Sequence, residues 1–310
     1  IAQIPLSESK IRSVAMRLAT GLAKKIDFNK EALAAELARL KGQDAVLDKL
    51  LGALERDDLG AFARKRPTAW MLAGPSGAGK SEAAKIIAQE LTGEPPIILN
   101  MGEYHTEWDT SKIIGSPPGY VGSESNREMP FDVLETNPYR VIMLDEIEKA
   151  DKAVHRLFLT ALADGWMQMA SGKVVDFSKA LVIATTNAAK ETTSTKTLGF
   201  ATRAKPAPMR QQELVTALQK HFEPEFLGRF SEMVAFAPID ATTYTEILVD
   251  TYQRERERLL LKKPALGNRT PTTIDPALLQ NTVSDTYLAD QGARPAGAAA
   301  RRLIEDALLE

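Results

Sequence analysis

Eight consecutive residues, Gly74-Pro75-Ser76-Gly77-Ala78-Gly79-Lys80-Ser81, carry the densest chemistry in the chain. Their types and spacing fill every fixed position of the pattern G-x-x-x-x-G-K-[ST]. The glycines let successive backbone N–H groups converge on an anion, and a following helix adds the positive end of its dipole. Lys80 supplies a cation and Ser81 a hydroxyl. The chemistry this predicts is the cradling of a polyphosphate, with Lys80 reaching its β- and γ-phosphates and Ser81 ligating Mg²⁺.

A second group stands downstream. Asp145-Glu146 closes the apolar run Val141-Ile142-Met143-Leu144, and strand ends in open α/β sheets face the ligand crevice. There Asp145 can hold Mg²⁺ through water while Glu146 polarises an attacking water. Asn187 follows the run ending Ala184-Thr185-Thr186 and offers a neutral amide to a γ-phosphate and the lytic water. Arg229, in Pro224-Glu225-Phe226-Leu227-Gly228-Arg229-Phe230, and Arg294, in Gly292-Ala293-Arg294-Pro295, can neutralise charge developing on the γ-phosphate. An arginine supplied by a neighbouring chain in that role gives roughly 10³–10⁵ in rate. Ile114-Gly115-Ser116-Pro117-Pro118-Gly119-Tyr120-Val121-Gly122 reads as an exposed loop. Its aromatic residue either packs on its own domain or projects as a grip for another chain.

The elements that must position these groups follow from periodicity. Residues 69–73, 97–100, 140–145, 180–185 and 233–236 are continuous apolar runs, as in strands buried on both faces of a parallel sheet. Helices are expected from Lys80 to about Leu91 and from Asp151, as N-cap, to Ala163. Before the first strand, residues 7–59 read as helix in three segments. Ile11, Val14, Ala15, Leu18 and Leu22 mark the first, and Asn29 caps the second, with Leu33, Leu37 and Leu40 on one face. Lys41-Gly42-Gln43-Asp44 breaks into the third. After Pro238 the spacing predicts helices over 241–263, 275–289 and 294–309. The expected organisation is a helical segment over 1–60, a doubly wound α/β domain over 61–239, and a small helical domain over 240–310. Residues 192–208, polar and Pro-rich, read as a surface loop around Leu198-Gly199-Phe200.

Composition excludes several classes. A net charge of −2 and a pI near 6.1 give no basic surplus for a polyanion, so a nucleic-acid partner is not expected. Without cysteine there is no disulfide framework and no thiolate metal site. His105, His155 and His221 lack ligand spacing. No apolar run approaches the roughly 18 residues of a membrane-spanning helix, so a soluble, cytoplasmic chain is expected.

These motifs together resemble the Clp family of AAA+ protein-remodelling ATPases, and specifically the second AAA+ module of ClpA, ClpB and ClpC. The resemblance runs from about Leu40 to Arg302. Leu40 and Lys41, in the segment continuing Gly42-Gln43-Asp44, take the adenine-side place. Gly115-Ser116-Pro117-Pro118-Gly119-Tyr120-Val121-Gly122 resembles the substrate-gripping pore loop, which implies that Tyr120 and Val121 contact a threaded protein. Asp164-Gly165-Trp166-Met167-Gln168-Met169 falls where a second pore loop is expected. Asn187 takes the sensor-1 place, Arg229 the arginine-finger place and Arg294 the sensor-2 place. The resemblance implies ATP and Mg²⁺ as ligands, a P-loop sheet with a C-terminal helical lid, and a homo-oligomeric ring, usually a hexamer, with ATP at the subunit junctions. Leu198-Gly199-Phe200 resembles the loop by which such a ring docks on the ClpP peptidase. Two functions stay open on this basis: an unfoldase that threads protein substrates and feeds a ClpP-type peptidase, or a stand-alone assembly factor for a dedicated complex such as secretion or conjugation machinery. Ile1-Ala2-Gln3-Ile4-Pro5 is similar to the linker entering the second module, as in a piece of a two-module protein. A stand-alone relative is the other expectation.

Overall fold

The computed structural model describes residues 29–58, 65–116, 129–188, 210–267 and 269–309. The first predicted helix, Tyr120, Val121 and Leu198-Gly199-Phe200 lie outside the described residues. The chain enters through α1 (Lys30–Leu37), whose first turn is closed by the Asn29 side chain accepting from the Ala32 N–H. Gly42 turns at φ +77°, and α2 (Asp44–Asp58) follows. Gln43 is buried in that turn. Its amide donates to the Ala237 carbonyl at 2.9 Å and accepts from the Ala237 N–H at 2.8 Å, tying this entry segment to the chain beyond the last strand.

The sheet begins with β1 (Thr68–Ala73) and continues through α3 (Lys80–Thr92), β2 (Ile97–Asn100), two single-turn helices α4 (Ser111–Ile114) and α5 (Val133–Thr136), and β3 (Val141–Asp145). Next come α6 (Lys152–Asp164), a hairpin of β4 (Trp166–Gln168) and β5 (Val174–Asp176), then β6 (Leu181–Thr186), α7 (Gln211–Leu218), α8 (Pro224–Leu227) and β7 (Glu232–Ala235). Five strands form one sheet in the order β2-β3-β6-β1-β7, every pair parallel. The expected strands are all present within a residue or two of their predicted ends. The hairpin was not among them.

Side chains alternate across this sheet as the strand pleat requires. Ala69, Met71, Ala73, Ile142, Leu144, Val182 and Ala184 point into one cluster, completed by Val154, Phe158, Ala161 and Leu162 of α6 and by α7 and α8. Trp70, Leu72, Val141, Met143, Leu181 and Ile183 point into the other, covered by α1, α2 and the Ala83, Ala84, Ile87, Ala88 and Leu91 stripe of α3. Both faces are buried, which explains why the strands read as unbroken apolar runs. Burying a Leu, Ile or Phe here is worth about 1.5–3 kcal/mol each.

Beyond Asp240, which accepts from the Thr243 N–H, the chain is helical: α9 (Ala241–Lys262), α10 (Pro276–Thr286) and α11 (Ala296–Leu309). They share a third core of Ile239, Tyr244, Leu248, Tyr252, Ala296, Ala299, Ala300, Leu303 and Ile304. Its tyrosines keep their hydroxyls satisfied. Tyr244 meets Thr286 at 2.9 Å, Tyr252 donates to the Pro271 carbonyl at 2.8 Å, and Tyr287 donates to Ile239 at 3.0 Å. The last helix opens one residue later than its proline suggests, with the Pro295 carbonyl accepting from Ala299. No helix among the described residues is long and apolar enough to cross a membrane.

Candidate nucleotide site

Parallel strands deliver their C-terminal ends to one edge of the sheet, and the predicted residues gather there. The segment after β1 is anchored by the Gly74 N–H donating to the Thr186 carbonyl. Gly74, Gly77 and Gly79 all have positive φ, and Gly79 opens α3 with no side-chain cap. The N–H groups at that helix start are therefore left facing the loop's concave side, where an anion is favoured. Gly74 is required sterically as well, because a Cβ there would lie 2.6 Å from the Phe236 carbonyl oxygen.

Lys80 is buried at the base of this loop. Its ammonium donates to the carbonyls of Gly74 at 2.8 Å and Pro75 at 2.7 Å, and to Asn187 Oδ1 at 3.0 Å. Burial pushes its pKa down to about 8, against the opposing pull of Glu148, Asp145 and Glu146, with the nearby Arg294 cation pushing the same way as burial. A desolvated ammonium held only by neutral oxygens is primed for a polyanion.

The carboxylates complete the cluster. The Ser81 hydroxyl donates to Asp145 Oδ1 at 2.8 Å, and Thr185 donates to the same oxygen at 2.6 Å. Asn187 Nδ2 donates to Glu146 Oε1 at 3.2 Å, so this amide joins Lys80 on one side to Glu146 on the other. The Asn187 N–H is held by Glu148 Oε1 at 3.0 Å. The second Glu146 oxygen meets Lys149 at 2.5 Å. Glu146 sits at φ +58°, the one non-glycine residue at positive φ among the described residues. Sequence reasoning named Asp145, Glu146 and Asn187 but missed Thr185, Glu148 and Lys149, whose roles depend on distances that spacing does not give.

A cavity of about 210 Å³ opens beside the loop, lined by Leu40, Lys41, Gly77, Ala78 and Gly79 together with Ile86, Ile239, Ile247 and Ala293. Its apolar walls come from the entry segment, α3, the β7–α9 connection and α9, and suit a planar base. The C-terminal helices close over it. The Ala293 N–H donates to the Gly77 carbonyl at 3.1 Å. Arg294, next in the chain, is near enough for its charge to oppose protonation of both Lys80 and Lys149. Arg229 is not drawn into the cluster. Among the described residues its side chain bonds to Glu225 alone, at 3.2 Å, one helical turn away.

One contact links these regions. The His155 ring on α6 stacks on Phe226 of α8 at 5.2 Å, and its Nε2–H donates to the Ile147 carbonyl, in the turn after Glu146, at 2.8 Å.

The residues fit a magnesium nucleotide. The loop offers free N–H groups, a buried ammonium and an apolar slot, and Ser81 with Asp145 offers a hydroxyl–carboxylate pair of the oxygen type that Mg²⁺ takes. The described residues contain no group of three His, Cys, Asp or Glu side chains assembled for a metal. Few protein ligands are usual where phosphates supply the remaining oxygens.

Fold and site together define a P-loop nucleotide-binding α/β module with a helical cap, the architecture of an AAA+ ATPase. Residues 65–233, more than half of the chain, match the AAA domain (Cdc48 subfamily), and the chain belongs to that family of ATPases. It is 34% identical over 275 residues to the ATP-dependent Clp protease ATP-binding subunit ClpE of Bacillus subtilis (strain 168), covering 88% of this chain and 38% of ClpE. It is 31% identical over 278 residues to the chaperone protein ClpB of Oceanobacillus iheyensis, covering 88% of this chain and 34% of that one. A cryo-EM reconstruction of closed-state Hsp104 with ATPγS and FITC casein superimposes with a TM-score of 0.69 at 26% identity, over 98% of this chain and 48% of the other. The resemblance to Clp-family ATPases is thus borne out. The chain spans about a third of the length of these curated relatives.

Proposed function

We propose that this chain is the ATP-hydrolysing module of a ring, usually a hexamer, that unfolds or remodels protein substrates. The observation that carries the reading is the Asn187 amide, bonded at once to Lys80 and Glu146. It puts the phosphate-binding cation and the base on one rigid group at the strand ends. Lys80 and the loop N–H groups hold the phosphates, and Leu40, Lys41 and the cavity walls hold the base. Glu146 accepts a proton from the attacking water as the bond to the γ-phosphorus forms and the bond to the bridging oxygen breaks, leaving ADP and phosphate. Mg²⁺ held by Ser81 and, through water, by Asp145 would neutralise phosphate charge. Arg294 completes the subunit's own site from the helical domain, 240–310, against the α/β domain, 61–239.

Arg229, bonded to Glu225 alone among the described residues, serves a neighbouring subunit in this reading, and a contact that reaches a neighbour head to tail can close into a ring. The protein-directed function is supported by the relatives' names, which describe chaperones and protease subunits. Tyr120 and Val121 would grip the substrate. Leu198-Gly199-Phe200 would dock a ClpP-type peptidase.

Glu146→Gln tests the enzymatic reading. It should bind ATP and abolish turnover, measured by nucleotide retention and phosphate release. A Glu146→Gln variant that still hydrolyses ATP at the wild-type rate defeats it. Tyr120→Ala should keep ATPase activity and lose substrate unfolding. Deleting Leu198–Phe200 should abolish peptidase-coupled degradation alone.

A further inference from the structure

We infer that Thr185 is a positioning residue for the hydrolysis proposed above, on which this inference rests. Its side chain is 1% exposed at the end of β6, where a β-branched residue needs no explanation beyond strand packing. Its hydroxyl, however, does two specific things. It donates to Asp145 Oδ1 at 2.6 Å and accepts from the Glu146 N–H at 3.0 Å. One oxygen therefore fixes both acidic residues from the adjacent strand.

The two bonds address two separate needs. Asp145 Oδ1 also receives the Ser81 hydroxyl at 2.8 Å. A metal ion would take a lone pair of the Ser81 oxygen and leave its proton able to donate, so Thr185 is a second donor to that carboxylate, one that stays in place whatever Ser81 ligates. Glu146 stands at φ +58° and ψ +51°, a conformation that residues with a Cβ adopt only when their surroundings impose it. The hydrogen bond from the Glu146 N–H to Thr185 helps to hold it, together with the Lys149 N–H donating to the Glu146 carbonyl at 2.9 Å, and the Glu146 side chain meets Asn187. Thr186, the next residue, is as buried but spends its hydroxyl on the Ala188 N–H at 3.1 Å, away from the carboxylates. It is a built-in comparison for the mere loss of a buried hydroxyl.

The test is steady-state ATP hydrolysis by the full chain as wild type, T185V, T185A, T185S and T186V, with affinity for a fluorescent ATP analogue and thermal unfolding measured alongside. T185V and T185A should lose at least tenfold in kcat with KM and analogue affinity within threefold. T185S should recover kcat to within threefold, and T186V should stay within threefold throughout. If T185V does not fold, T185A carries the comparison. Full activity in T185V or T185A overturns the inference, as does failure of T185S to recover, or an equal loss in T186V. A wild-type chain that binds and hydrolyses no ATP overturns the underlying reading and this inference with it. A hydrolysing wild type with an equally active hydroxyl-free variant overturns this inference alone.

Discussion

The backbone carbonyl of Gly77 accepts a hydrogen bond from the backbone N–H of Ala293 at 3.1 Å, so the phosphate loop and the C-terminal helices touch with no side chain between them. A Cβ on Gly77 would lie 2.0 Å from the Gln291 carbonyl oxygen, and Gly77 has φ +72°. Gly77→Ala should therefore push the cap off the loop and weaken ATP binding at least tenfold, read by titration of a fluorescent analogue. Gly93, at φ +70° with nothing within 4 Å, is the control. Gly93→Ala should cost about 1 kcal/mol of stability from backbone strain and leave affinity unchanged.

Lys80 makes stability and binding respond to pH in opposite senses. Below about pH 8 the lysine is charged in folded and unfolded chains alike, and the whole cost of burying the ammonium weighs on the fold. Between about 8 and 10.5 the unfolded chain holds the extra proton, so this group makes the ligand-free protein more stable as pH rises, by on the order of 3 kcal/mol in all. Denaturant titrations at the two ends of that window should show the rise in wild type and not in Lys80→Met. ATP affinity should fall across the same window, because the phosphates need the cation.

Lys149 occupies the Glu146 oxygen that Asn187 leaves free. The lysine is half exposed, and such pairs contribute about 1 kcal/mol or less to stability. Lys149→Ala should barely move the unfolding temperature. With that oxygen released to take a proton, basal ATP turnover should rise two- to fivefold, on the order of 0.4–1 kcal/mol off the barrier, with KM unchanged.

If Arg229 works across a junction, two inactive variants should rescue each other. Arg229→Ala keeps its own site, and Glu146→Gln keeps its outward arginine. Each alone should lose hydrolysis by about 10³ or more while still binding nucleotide. Mixed, they should regain a measurable fraction of wild-type turnover, peaking near equal proportions. A flat mixing curve would assign Arg229 to its own subunit.

What was legible in the sequence follows from what leaves a one-dimensional trace. Strands such as Met71–Ala73 and Ile142–Leu144 announce themselves because burial on both faces removes every polar residue. Gly74–Ser81 announces itself because phosphate binding demands fixed types at fixed intervals. The β4–β5 hairpin left no trace. Its strands have three residues each, with only the middle ones, Met167 and Val175, buried, too short for a period to emerge. It is held from outside, by Ala170 donating to the Ile114 carbonyl and by Lys173 pairing with Asp132. Thr185 was hidden for a different reason, since a threonine at the end of an apolar run reads only as a good strand former. The cavity beside the loop draws Leu40, Ile86, and Ile239 with Ile247 from three separate stretches, and the sequence pointed to Leu40 alone among them, through the family resemblance.

The His155 ring, stacked on Phe226 and bonded to the Ile147 carbonyl, rests on the turn that follows Glu146 and on the helix that leads to Arg229. In the function proposed above, one ring thus underlies both the residue a subunit would keep for its own phosphate and the residue it would offer its neighbour. On that reading, removing the ring would disturb the mounting of both residues at once.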